Sequence, residues 1–239
     1  ERIAAHVQAY EKNGILYLIL DEKGYTKELK KQLKQKGAAE PVLEAEIYMP
    51  EVKSLIFCDK VSVKHCDLLR SDNFTLTASD NAKIQQLKVV CTTAEINVSK
   101  NAELSANMKV ASKLYLEAKN SSKVSIAQDG GNAFMELQGS SFVDMKAESQ
   151  TIGVFASSSA ESHISGTASV LTVNASGLSR TNAEFLVATE GLMTLTGSSK
   201  CHVDVTDKMK VNLTGGCMLT FKRSPAIEVE RIVNSTLIK

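Results

Sequence analysis

The sequence predicts an all-β chain coiled as a parallel β-helix. About nine rungs of roughly 18–22 residues run from near residue 55 to the C-terminus, behind an N-terminal strand and helix cap. Three observations carry this reading: self-similarity on a long period, period-2 alternation inside each repeat, and a shortage of tight-turn residues. With three prolines and thirteen glycines among 239 residues, the chain lacks the turn residues that a hairpin-rich sandwich requires.

The long period is plainest in three segments: Leu76 to Ile84, Ile96 to Leu104, and Leu116 to Val124. Each opens and closes on an aliphatic residue, and like positions lie twenty residues apart. Phe74, Ala94 and Leu114 keep the same register two residues earlier. Between the aliphatic columns a polar corner recurs, with Asn81, Asn101 and Ser121 beside Ala82, Ala102 and Ser122. The pattern is expected to continue with lead positions at Leu137, Phe155, Val173, Leu195 and Leu213, spaced eighteen or twenty-two apart. Residues two earlier are mostly apolar (Met135, Leu171, Met193, Val211), with Gly153 the exception.

One architecture satisfies both periods. If each repeat makes one turn of a coil, successive strands pair in parallel about 4.8 Å apart and like residues lie over like. Aliphatic columns then become internal ladders, each buried side chain contributing roughly 1.5–3 kcal/mol. Small corner residues let the backbone bend, and Asn or Ser can satisfy backbone groups left unpaired by the bend. A leucine-rich repeat is the main rival, but its Leu-x-x-Leu-x-Leu signature is missing.

Residues 1–50 form a separate segment, expected to cap the β-helix of residues 51–239 and to pack with it as one structural unit. Ile3–Tyr10 and Ile15–Leu20 read as two strands joined by a hairpin-like connection, Glu11-Lys12-Asn13-Gly14. Thr26–Lys36 reads as a short helix with Thr26 as N-cap, Leu29 and Leu33 on one face and Gly37 at its end. Leu43–Met49 is expected to be the entry strand, leading through Pro50 to the first rung at Val52–Val63.

Composition narrows function. A formal net charge of +1 gives no field of one sign to attract nucleic acid or an acidic membrane surface. Aromatic residues make up 5% and Trp is absent, which is lean for a deep substrate cleft. No segment reaches the roughly eighteen apolar residues of a membrane span. The chain opens on Glu1 without a charged-then-apolar leader, and a signal peptide is expected to have been removed.

The sequence carries no catalytic constellation, no cofactor motif and no metal centre. The five cysteines (Cys58, Cys66, Cys91, Cys201, Cys217) form no Cys-x-x-Cys. The neighbours His65–Cys66 and Cys201–His202 point to opposite faces of a strand and cannot chelate one ion. Acid-polysaccharide lyases of parallel β-helix architecture need clustered carboxylates for calcium and a basic residue as proton acceptor. The best acidic group here is Asp59, Asp72 and Asp80, with Asp59 and Asp80 twenty-one residues apart and placed to meet on adjacent rungs. Only five arginines occur (Arg2, Arg70, Arg180, Arg223, Arg231), none beside an acidic pair in a recognisable motif. His6, His65, His163 and His202 are scattered, with His163 expected to face outward.

The corners, the entry Glu46-Ile-Tyr-Met-Pro-Glu-Val-Lys-Ser-Leu55 and the ending from Gly215-Gly-Cys-Met-Leu-Thr-Phe221 through Pro225 to Ile238 resemble the putative auto-transporter adhesin, head GIN domain family of Bacteroidetes. The resemblance spans most of the chain from about residue 42. The sequence departs from it where corners lack glycine (Asn120–Ser122, Ser157–Ser159) and in the lysine-rich helix. It implies a right-handed parallel β-helix in a secreted or cell-envelope protein with an adhesive role, binding a glycan or protein surface. It carries no catalytic residues. A polysaccharide-active enzyme with a non-standard site is the alternative function, and a self-assembling structural β-helix the second.

Overall fold

A computed structural model describes residues 3–35 and 43–239 of the chain. They fall into two compact units, divided between Tyr48 and Met49.

In the first unit a short 3-10 turn, Ile3–His6, precedes strand Val7–Lys12, which pairs antiparallel with Ile15–Leu20. The connection is shorter than the expected four residues. Asn13 and Gly14 both adopt positive φ (56° and 74°), the mirror-image two-residue turn that matches strand twist. Tyr10 and Tyr17 stack across the hairpin with centroids 5.0 Å apart. The helix spans Lys27–Leu33, and Thr26 caps it by accepting from Leu29 N–H at 3.2 Å. The expected stop at Gly37 lies outside the described residues. No helix among those described is long and apolar enough to cross a membrane.

The expected entry strand does not form. Residues 43–53 carry no regular structure, and the first strand is Ser54–Phe57. From there to Ile238 the second unit is a β-solenoid of about ten turns with parallel pairing throughout. One inward column runs Leu55, Leu76, Ile96, Leu116, Met135, Val154, Val173, Met193, Val211 and Val229, each the register partner of the next. A second runs Val63, Ile84, Leu104, Val124 and Val143. The side chains from Leu76 to Val211 and from Ile84 to Val143 are buried in one continuous core, Leu55 and Val63 pack against it, and Val229 at the last turn is exposed. Alternation is the reason: in a strand every second residue turns inward, so stacking equal repeats builds apolar ladders.

The twenty-residue period holds where it was expected, and the later register differs. Leu137 pairs with Ala156, Ala156 with Ala175, Ala175 with Leu195, and Leu195 with Leu213, in steps of 19, 19, 20 and 18. Phe155 is therefore not a lead position; it faces outward and is 44% exposed. Val173 points inward but belongs to the column two residues earlier, opposite Val154. Gly153 ceases to be an exception, because the partner of Met135 is Val154. A one-residue slip reverses which face a side chain occupies. Here a large outward Phe outweighed a small inward Ala in the hydrophobic pattern.

The corner is more regular than its residues. Asp59, Asp80, Lys100, Asn120, Gly139, Ser158, Gly177, Gly197, Gly215 and Asn234 all have left-handed φ, between +50° and +97°. At each corner from Asn81 to Gly216 the next residue donates its N–H to the corner carbonyl of the preceding turn, as Asn101 N does to Asp80 O at 2.7 Å. Two residues past each corner from Asp80 to Gly215 sits a small buried side chain: Ala82, Ala102, Ser122, Ser141, Ala160, Ser179, Ser199 and Cys217. Ser179 and Ser199 hydroxyls donate to the carbonyls of Ser176 and Thr196 at 2.9 and 3.0 Å. Backbone bonding thus occupies the hydroxyls of Ser179 and Ser199, whereas those of Ser122 and Ser141 are buried without a hydrogen-bond partner.

Candidate functional sites on the outward columns

Side chains that alternate with the core columns form straight outward files, one residue per turn. Two patches depart from ordinary solvated strand faces.

The first lies on the strands before the corner. One file reads Glu95, Tyr115, Phe134, Gly153 and Thr172, and its neighbour reads Asn97, Glu117, Glu136, Phe155 and Asn174. Gly153 leaves room for the ring of Phe134: a Cβ there would stand 2.8 Å from Phe134 Cδ1 and 3.5 Å from Phe155 Cε2. Lys113 Nζ lies 5.0 Å from the centre of the Phe134 ring. Glu136 is fixed from both sides, accepting from Tyr115 Oη at 2.8 Å and Gln138 Nε2 at 2.7 Å. That bond to a carboxylate pushes the Tyr115 phenol up to about 12. Beside them a shallow groove of about 360 Å³ is lined by Glu136, Gln138, Phe155, Ser157, Asn174 and Ser176. It combines one exposed ring with amide, carboxylate and hydroxyl groups, able to stack on an apolar face and hydrogen-bond its polar edges.

The second patch lies past the corner. Glu161, Arg180 and Lys200 occupy one file, and His163, Asn182 and His202 the next. Together they rim a depression of about 170 Å³. Behind it the core column turns polar: buried Ser162 donates to Thr181 Oγ1 at 3.2 Å, where earlier turns carry Val124 and Val143. His163 faces outward as expected, 3.2 Å from Glu161 and edge-on to Phe142 with centroids 5.2 Å apart. Histidines that looked scattered in sequence, His163 and His202, thus meet in one patch with Arg180. No motif marks them; the only signal is the twenty-residue step from Arg180 to Lys200, which becomes legible once the register is known.

The acidic candidates separate. Asp59 and Asp80 do fall on adjacent turns, both at left-handed corners, with Asn81 N donating to Asp59 O. Lys100, on the next turn, bonds Asp80 at 2.5 Å, and Ser79 Oγ donates to it at 2.8 Å; these bonds hold the Asp80 carboxyl below its ordinary range. Asp72 is exposed within strand Leu69–Ala78, away from the corner. Among the described residues no three His, Cys, Asp or Glu side chains group to hold a metal ion. The two Cys–His neighbours split between faces where the fold is regular: Cys201 is buried and His202 exposed.

A parallel β-solenoid whose outward files display shallow patches defines the class of protein. Residues 100–225 match the family model described as "Putative auto-transporter adhesin, head GIN domain", and the chain belongs to this family. No curated protein and no solved structure matches the chain.

Proposed function

We propose that this protein is a non-enzymatic adhesive module, secreted or displayed on the cell envelope, whose outward files bind an extended glycan or protein surface. The observation that carries the reading is the groove at Phe155, on a chain of an adhesin-like family. Its ring is held open to solvent beside Glu136, whose orientation two hydrogen bonds fix. Such a patch needs little reorganisation on binding, and preorganisation favours affinity. Parallel stacking also repeats the face every 4.8 Å or so, which suits a ligand that is itself extended.

A glycan and matrix-protein array probed with the purified chain tests this. Saturable binding is expected, weakened about tenfold or more by Phe155→Ala. Binding to nothing on the array would overturn the adhesive reading. Turnover of an acidic polysaccharide by the same preparation would overturn its non-enzymatic part.

A further inference from the structure

We infer that the depression between Arg180, Lys200 and His202 binds the carboxylate or sulfate group of an acidic glycan. This deepens the adhesive reading and rests on it, naming a ligand class and a second patch.

Elsewhere the solenoid balances the charges that it stacks. Where charged residues stack across turns, opposite signs usually meet: Lys83 with Glu103 at 3.6 Å, Asp80 with Lys100, Lys109 with Asp129 at 3.9 Å, and Lys210 with Glu228 at 3.5 Å. Two acidic residues stack on each other at Glu117–Glu136 and at Asp129–Glu148. Both stacks are relieved. Lys119 bonds Glu117 at 2.5 Å, Tyr115 and Gln138 donate to Glu136, and Lys109 approaches Asp129.

Arg180 over Lys200 is the cationic counterpart, and no ion pair joins either cation to a carboxylate. The two are direct register partners. Beyond Lys200 the file continues with Met218; on the other side the register partner of Arg180 is Glu161, whose carboxylate lies 3.2 Å from His163 and makes no ion pair with Arg180. Neither cation makes an ion pair or side-chain hydrogen bond with any described residue. Like charges carried on register partners of neighbouring strands, whose backbones lie about 4.8 Å apart, repel. An anion seated between them removes that repulsion and gains charge-assisted hydrogen bonds from both.

The surroundings fit a planar or tetrahedral oxyanion carried on a sugar. Asn182 lies in the adjoining file between His163 and His202; its Oδ1 accepts from Glu184 N at 3.1 Å, so its amide group remains as a donor. One turn away, the Phe142 ring packs edge-on to His163 in the file of Glu161 and Arg180. The patch therefore runs along the stack, from an aromatic residue to a pair of cations. That favours a charged chain over a compact ion. With a net charge of +1 for the whole chain, the attraction is local rather than a general basic field.

The test measures binding of the full chain to polygalacturonate, to heparin, to neutral dextran and to sodium sulfate alone. Arg180→Gln with Lys200→Gln removes the site. Lys83→Gln with Lys123→Gln removes equal charge from the same outward file outside it, and thermal melts establish that both variants fold. The expected result is saturable, salt-sensitive binding to an acidic glycan. It should fall roughly tenfold to hundredfold in the first variant and change less than about threefold in the second. Equal losses in both variants would overturn the site in favour of bulk charge. Binding of sulfate alone, with no gain from the glycan, would overturn the ligand class. Binding to dextran or a matrix protein that Arg180→Gln/Lys200→Gln leaves unchanged would overturn this inference and leave the adhesive reading standing. Binding to none of the array's ligands would overturn both.

Discussion

Arg223 Nε donates to Asp204 Oδ1 at 2.5 Å, tying a largely exposed guanidinium to a carboxylate that is 6% exposed. The pair links strand Lys200–Gly215 to the residue that follows strand Met218–Lys222, one turn on. A carboxylate at that depth is costly without a partner. Arg223 also holds a left-handed backbone, φ +64°, which an L-residue adopts at a cost of about 1 kcal/mol.

Arg223→Ala is expected to destabilise the solenoid by about 1–3 kcal/mol, leaving Asp204 buried and unpaired. Arg223→Gly loses the same bond but relieves the backbone, so it should be less destabilised than the alanine variant by about 1 kcal/mol. Urea unfolding of the two variants separates the ion pair from the backbone. Equal stabilities would show that the left-handed conformation costs nothing there.

Gly166 and Ser158 should respond in opposite directions. A Cβ on Gly166 would lie 2.0 Å from Ala147 O, at φ +112°. Gly166→Ala is therefore expected to cost at least about 3 kcal/mol, seen as a large fall in Tm or loss of folded protein. Ser158 occupies a left-handed corner, φ +62°, where its neighbours along the column are Gly139 and Gly177. Ser158→Gly should raise stability by about 0.5–1 kcal/mol, net of glycine's greater unfolded-state entropy.

Tyr115 predicts an alkaline transition. Its phenol is pushed up to about 12 by the bond to Glu136, burial and the nearby carboxylates, against about 10 in an unfolded chain. The folded state therefore holds the proton more tightly. The resulting stability is fully present below pH 10 and is lost as pH rises from 10 towards 12. Tyr115→Phe should lower stability by about 1 kcal/mol at pH 7. Its difference from the parent should shrink across that alkaline window when followed by thermal melts.

Asp80 predicts the acid counterpart. Lys100 and Ser79 bonds lower its carboxyl, so its contribution is present above the ordinary aspartate value of about 3.9 and is lost as pH falls below it. Asp80→Asn should lower Tm slightly at pH 7, and the two melting curves should converge as pH drops below 4. A difference that persists at pH 2 would mean that the side-chain shape, rather than the charge, matters at this corner.

The acidic group shows how far sequence reading reached into the sites. Asp59 and Asp80 were placed on adjacent turns by spacing alone, and they are there. Which of them is already partnered depends on Lys100, one turn further on, whose side-chain reach no spacing reports. The Phe155 groove was hidden for a different reason. An outward Phe next to an inward Ala reads, in a hydrophobic pattern, as the inward residue.

By itself the sequence determined that the chain coils. Inward positions such as Leu76, Ile96 and Leu116 face the same dry environment at every turn. Their chemistry must therefore repeat, and the repeat is visible without coordinates. Corners between the two ends repeat for an equally general reason, since each must admit a left-handed residue followed two places on by a small buried one. Tertiary structure alone decided the neighbours on the outside. Solvent accepts almost any outward side chain, so no pattern constrains Arg180, Lys200, His163 or His202. Steps of 19 and 20 residues bring them side by side, a register fixed by the inward columns that stack beneath them.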